Sequence, residues 1–270
     1  MNEFNAAVND AKRSIKLDST NAKFYLNLVD IYFAQNQTRQ VKDLLLTIER
    51  KFPENTEGLL KSAELFFLVK QYQKAIDFVN KALKIDDGLA KAYFIKGSVY
   101  RESGDTAKAI SSLETAIEQD NKMEDAFYDL GVIYAVRKNK LALDYYDNVL
   151  KVNPNNIMAR YARAKFLQDI GKNDEAIFEY EALIKQKKDC SECFYNLGVI
   201  FLNEKKNLNT AIEKFTKAIE VKPDYIEAYF ARGYTYSLLK QNASAKADYE
   251  MCLKLVPDYE LAAQALNKLK

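Results

Sequence analysis

Cys190 and Cys193 are the one pair in this chain whose residue type and spacing carry ready chemistry. C-x-x-C is the spacing of redox dithiols and of half a zinc site. The first cysteine also precedes a predicted helix N-terminus, where the helix dipole favours thiolate. The rest of the chain completes neither reading. With three cysteines and no histidine, there is no second pair to close a metal site, and no βαβ pattern surrounds the motif. Whether the two thiols pair with each other is open at this level. Cys252 stands where Ala82, Ala116 and Ala218 stand in related segments, which marks it as a small core residue.

The missing histidine also removes the commonest general base, and with it Ser-His, Cys-His and HExxH chemistry. An enzyme would have to work with its 38 carboxylates, which lie on helices spaced for solubility. Pairs such as Glu179 with Glu181, or Asp144 with Asp147, read as solvated or ion-paired. No catalytic residue, metal or cofactor is expected. Forty basic residues against 38 acidic ones give a net charge of +2, so there is no basic field for nucleic acid or anionic lipid. No run of eighteen apolar residues predicts direct membrane insertion, and the first residues lack the layout of a signal peptide.

The elements that must hold these side chains are repeats. A small residue returns at Ala7, Val41, Ala75, Ala109, Ala142, Ala176, Ala211 and Ala245, in steps of 34, 34, 34, 33, 34, 35 and 34. A second ladder, Val29, Ala63, Gly97, Gly131, Ala164, Gly198 and Gly233, carries its short and long steps at the same two places. Two ladders in phase require two helices per unit in close contact, and stacked units must supply the core that one unit cannot. The units run 22–55, 56–89, 90–123, 124–156, 157–190, 191–225 and 226–259, after a half unit at 2–19 and before a capping helix at 260–270. Pro53, Pro154, Pro223 and Pro257 all mark the end of a second helix, and Asn55, Asn156, Asp224 and Asp258 follow as candidate caps. No segment alternates with period two, so no strands are predicted.

Phe127, Leu130, Gly131, Tyr134, Ala142, Tyr146, Val149 and Pro154 in the fourth unit resemble the tetratricopeptide repeat (TPR) pattern. So do Phe194, Leu197, Gly198, Phe201, Ala211, Phe215, Ala218 and Pro223 in the sixth. The likeness covers nearly the whole chain and is closest to bacterial members; the Lys- and Asn-rich composition without tryptophan points the same way. Repeats one and two depart most, with Val29 and Val41 at small positions and Ser62 at a leucine position. The resemblance implies an all-α, right-handed solenoid of antiparallel helix pairs, forming a single domain. It also implies that the first helices line a concave face into which their fifth residues point.

Those fifth residues include Phe94, Tyr128, Tyr161, Tyr195 and Phe230, an aromatic stripe suited to gripping a peptide or helix. Val132, Ala135, Val136, Val199 and Leu202 flank the polar Lys165, Gln168 and Asp169, a texture for a ligand with apolar anchors around a polar centre. The carboxylate clamp known in this family does not match, since Asn27 and Asn196 hold the asparagine place without the accompanying cations. At the seventh position, Lys96, Arg163 and Arg232 replace leucine, and each needs a partly buried anionic partner. Glu179 answers Arg163, Asp248 answers Arg232, and Lys96 would have to reach Glu114.

The expected function is that of a scaffold or adaptor binding a protein or peptide in the concave groove, in a bacterial cytoplasm or periplasm. Two alternatives stand beside it: a targeting or assembly arm of a larger enzyme or envelope complex, and a self-associating module. The half unit favours both, because Ala7, Ala11 and Ile15 lie on one helical face that expects a missing first helix. It reads either as a fragment that has lost its natural N-terminus, with a targeting segment, or as a native cap. Disorder before about Asp18, or a homodimer through that face, is the expected consequence. In the capping helix, Leu266 and Leu269 are expected inward, and Lys268 and Lys270 in water.

Overall fold

The computed structural model describes residues 2–269, and Lys270 lies outside them. Among the described residues there are sixteen helices and no strand. They are α1 (Asn2–Leu17), α2 (Ala22–Ala34), α3 (Thr38–Lys51), α4 (Thr56–Leu68), α5 (Tyr72–Ile85), α6 (Ala90–Glu102), α7 (Thr106–Gln119) and α8 (Glu124–Val136). There follow α9 (Leu141–Val152), α10 (Ile157–Asp169), α11 (Asn173–Gln186), α12 (Ser191–Asn203), α13 (Leu208–Val221), α14 (Ile226–Leu238), α15 (Asn242–Leu255) and α16 (Glu260–Lys268). The chain forms two compact units, up to Ile133 and from Tyr134 onward, divided within α8.

Each first helix stops at the same device. Asn36, Lys70, Gly104, Lys138, Gly171, Lys206 and Lys240 all take positive φ. In the turn after α2, the Asn36 N–H donates to the Phe33 carbonyl and the Gln37 N–H to that of Tyr32, both at 2.9 Å. These two bonds make a Schellman stop that satisfies carbonyls the helix would leave bare. The turn also absorbs length variation. The long step of the ladders falls after α12, where the Asn207 N–H reaches back to Phe201. The short step falls after α8, where the Asn139 side chain accepts from the Leu141 N–H at 3.0 Å. Insertions there leave the helix contacts in phase.

Second helices press onto first helices at the small residues. Val41, Ala75, Ala109, Ala142, Ala176, Ala211 and Ala245 are all fully buried, as are Val29, Ala63 and Ala164. The first repeat therefore buries Val29 and Val41 as fully as other repeats bury alanine, but the larger side chains leave α2 and α3 less closely apposed than later pairs such as α4 with α5 and α6 with α7. Ser62, also buried, turns its hydroxyl to the Gly58 carbonyl at 2.9 Å instead of leaving it unpaired. The half unit differs from the expectation of disorder. Its residues form the helix α1, and Val8, Ala11 and Ile15 pack on the cluster around Val29, Val41 and Leu45. Ala7 alone of its ladder stays half-exposed.

The glycines of the second ladder admit bulk from the facing helix. A Cβ on Gly198 would lie 2.5 Å from Cε1 of Phe215, a fully buried ring that cannot retreat. Gly198→Ala should therefore lower stability by about 1–3 kcal/mol, the usual cost of overpacking. The same change at Gly88, where the nearest atom is a flexible Asp86 carboxylate oxygen at 3.4 Å, should be close to neutral. Thermal midpoints of the two variants check this.

Candidate functional site

In the second unit, the fifth residues of the first helices stand on rings beneath them. Tyr161 meets Tyr180 edge-on with centroids 6.0 Å apart, Tyr195 meets Phe215 at 5.8 Å, and Phe230 meets Tyr249 at 5.7 Å. The residue at the N-cap of the following first helix adds a second contact: Tyr225, before α14, lies 5.2 Å from Tyr195, and Tyr259, before α16, lies 5.7 Å from Phe230. Tyr161 instead accepts a 3.0 Å hydrogen bond from the Asn196 amide. The three residues are thus half-buried and fixed in orientation, a narrower exposed strip than the sequence pattern suggested. Burial raises the phenol pKa of both Tyr161 and Tyr195, so their hydroxyls stay protonated donors. Val199 is half-buried, and exposed Lys165 is tied to Asp169 one turn along.

The first unit presents a different surface. Phe94, Tyr128 and Val132 are half-buried there, and the neighbouring first-helix side chains pair with one another. Lys61 reaches Asp30, Lys91 meets Glu64 at 2.8 Å, and Arg101 meets Asp129. Burial raises the Asp129 pKa against the pull of Arg101. These cross-repeat pairs occupy the groups a polar ligand would otherwise use.

Two features of the second unit escaped the periodicity. Tyr225 and Tyr259 hold the N-cap places of α14 and α16 and make no side-chain cap, whereas Asn55 and Asn156 cap α4 and α10. Asp224 and Asp258, the expected caps, fall one residue before the N-cap position, which Tyr225 and Tyr259 occupy with their rings packed on Tyr195 and Phe230. The other feature is a cleft of 460 Å³ lined by Phe230, Tyr234, Leu261, Ala265, Lys268 and Leu269 among others. Leu266 and Leu269 do pack on the last repeat's core, yet Tyr234 and Leu261 remain 46% and 54% exposed. A leucine repeated in an amphipathic helix gives no sign of which side stays open.

Position seven organises charge between second helices. Arg163 binds Glu179 at 2.6 Å on its own repeat's second helix and Asp147 at 2.7 Å on the preceding one, and Arg160 adds a 3.4 Å contact to Glu179. Arg232 grips Asp248 through two nitrogens at 2.7 and 2.9 Å and donates to Thr216 at 3.0 Å. Burial opposes the Arg232 charge, but Asp248 outweighs it and the net pKa shift is upward. Lys96 does not reach Glu114; its amine meets the Asn80 side chain at 3.5 Å, on the preceding second helix. Ser112, buried at the place of Glu179 and Asp248, offers it no anion.

Cys190 and Cys193 form a disulfide. Cys190 is the N-cap of α12, and its sulfur faces the Cys193 N–H at 3.3 Å, as the Asn55 oxygen faces Gly58 at 2.8 Å and that of Asn156 faces Ala159 at 2.9 Å. The bond is a covalent version of the asparagine cap. Cys252 is the free thiol, fully buried, with burial pushing its pKa up to about 11. Among the described residues no group of His, Cys, Asp or Glu is arranged for a metal, and no helix is long and apolar enough to cross a membrane.

Stacked helix pairs with small-residue contacts and a ring-bearing first-helix face define a repeat scaffold of the α-solenoid class. The TPR repeat model matches residues 97–135 and 202–240, and the tetratricopeptide repeat model matches 226–259. The crystal structure of YrrB, described as a TPR protein with an unusual peptide-binding site, is 30% identical with a TM-score of 0.59, covering 70% of this chain and 97% of that one. The chain belongs to the tetratricopeptide repeat proteins, which are generally protein-interaction scaffolds. Anaphase-promoting complex subunit 3 of Schizosaccharomyces pombe is 24% identical over 62% of this chain and 30% of that protein. Human protein O-mannosyl-transferase TMTC3 is 23% identical over 76% of this chain and 22% of its own length. The chain thus spans less than a third of either curated relative.

Two outcomes test these interactions. Cys190→Asn with Cys193→Ala, which copies the cap of α10, should keep the native helix content and lie within about 1 kcal/mol of the oxidised protein, the worth of one cap. Cys190→Ala with Cys193→Ala should fall below it by chemical denaturation. Arg232→Leu should cost about 3–5 kcal/mol by leaving buried Asp248 without its cation. Adding Asp248→Leu, which copies the Leu28 and Leu44 pair of the first repeat, should restore most of that loss.

Proposed function

We propose that this protein binds an extended segment or helix of a partner protein along its first-helix face, with Tyr161, Tyr195 and Phe230 as anchors and Lys165 and Val199 beside them. Phe94, Tyr128 and Val132 hold the corresponding places in the first unit. The observation that carries the reading is the support under the second-unit rings. Tyr180, Phe215 and Tyr249 fix Tyr161, Tyr195 and Phe230 before any ligand arrives. Rings already ordered lose little conformational entropy on binding, which is what makes aromatic residues efficient anchors.

The peptide-binding site described for YrrB, a relative whose length is 97% covered, supports the same class of ligand. A protein partner also suits a net charge of +2, which gives nucleic acid no field to follow. Catalysis has no place in this reading, because the chain carries no histidine and its buried carboxylates Glu179 and Asp248 are bound to arginine. Protein O-mannosyl-transferase TMTC3 is matched over only 22% of its length.

A partner recovered by affinity capture from the source organism should bind Tyr195→Ala with Phe230→Ala about thirtyfold more weakly, equivalent to roughly 2 kcal/mol of lost anchoring. Lys217→Ala, on the exposed side of α13, should bind as wild type does. Circular dichroism confirms that both variants are folded. Equal affinity of the groove variant and wild type would end the proposal.

A further inference from the structure

The C-terminal end of the first-helix face carries an open cleft and an unbalanced charge side by side. The cleft lies between α14, α15 and α16, with Phe230, Tyr234, Leu261, Ala265 and Leu269 on its walls. Its volume of 460 Å³ holds one or two large side chains. Glu227 precedes Phe230 by three residues, and Glu192 precedes Tyr195 by three. That spacing places each carboxylate on the same helical face as its ring.

Two nearby cations are already engaged, whereas these two carboxylates meet no cation among the described residues. Lys165 pairs with Asp169, and Lys222 sits over the Tyr225 ring at 4.9 Å from its centroid. Glu192 accepts only the Ser191 hydroxyl at 3.0 Å, and Glu227 makes no ion pair among the described residues. Both are exposed. Their field reaches the tyrosines of the strip: Tyr225, whose pKa burial already raises, is pushed further by Glu192 and Glu227. Lys268 lines the cleft seven residues beyond Leu261, about two helical turns along α16. The face is polarised, negative at the start of the first helices and apolar beside it.

We infer that the segment bound here is cationic and apolar: a Leu, Phe or similar side chain enters the cleft, and an Arg or Lys one or two residues away lies between Glu192 and Glu227. A cation meets two carboxylates there, attractions that act together. This inference rests on the peptide-binding reading and specifies its ligand. A carboxylate in the first turn also favours its own helix dipole, but that role predicts no preference among peptides.

The test is a random octapeptide display library panned on the full chain at physiological salt. Recovered peptides should carry Arg or Lys within two residues of a large apolar side chain. For a synthetic peptide from that set, Glu192→Gln with Glu227→Gln should weaken binding about five- to tenfold, the sum of two partly exposed ion pairs. The same variant should bind the peptide's Arg→Gln form no differently from wild type. Recovery of peptides without basic residues, or an unchanged affinity in the Glu variant, overturns the cationic assignment and leaves peptide binding intact. Peptides indifferent to Tyr195→Ala with Phe230→Ala, or no recovered peptide at all, overturn the first-helix reading and this inference with it.

Discussion

Everything in this protein depends on how closely the two helices of a repeat approach at their small residues. Where the first helix offers glycine, the second can bring a large ring or leucine beneath it: Leu113 under Gly97, Phe215 under Gly198, Tyr249 under Gly233. The ring then does a second job, because Phe215 and Tyr249 are the floor on which Tyr195 and Phe230 stand. Backbone economy in the core is thereby converted into ordered aromatic surface. A methyl group at the ladder would disturb stability and the ligand face through the same atoms, since close-packed interiors transmit displacement instead of absorbing it.

Charge is used in two separate ways. Between second helices, Arg163 and Arg232 sit at leucine positions and stitch a repeat to the one before it, Arg163 through Asp147 and Arg232 through Thr216. Such buried pairs add little net stability over leucine, but they penalise any register in which the partners are apart. On the first-helix face of the first unit, the pairs Asp30 with Lys61 and Glu64 with Lys91 neutralise one another. On that of the second unit, Glu192 and Glu227 meet no cation among the described residues. The surface with unused chemistry is the one that also has supported rings and a cleft.

The N-cap position shows how one structural need is met by different residues when a neighbour makes a competing demand. Asparagine answers the free N–H groups in α2, α4 and α10, and a disulfide does so in α12. In α14 and α16 a tyrosine gives up the cap for a ring contact. A lost cap costs about 1 kcal/mol, and a well-placed aromatic pair recovers a similar amount. Among the described caps the exchange occurs in α14 and α16, where it extends the aromatic surface.

The sequence alone determined the helix pairs, their phase and their contact residues, because a 34-residue recurrence of small side chains has one physical explanation and is written in residue identities. It also determined Glu179 and Asp248 as partners of Arg163 and Arg232, since a cation at a core position has few carboxylates within reach, whereas Asp147 and Thr216 of the preceding second helices join only in the fold. Lys96 went elsewhere because a long, flexible amine at an exposed edge is bound by no such limit. Only the tertiary structure decided that Cys190 caps with a disulfide, that Tyr225 and Tyr259 abandon capping, and that a cleft opens beside Leu261. Each of these depends on how side chains of neighbouring helices divide a shared space. A repeat pattern fixes that a neighbour is present; the shape of the space between the two is set only when both are folded.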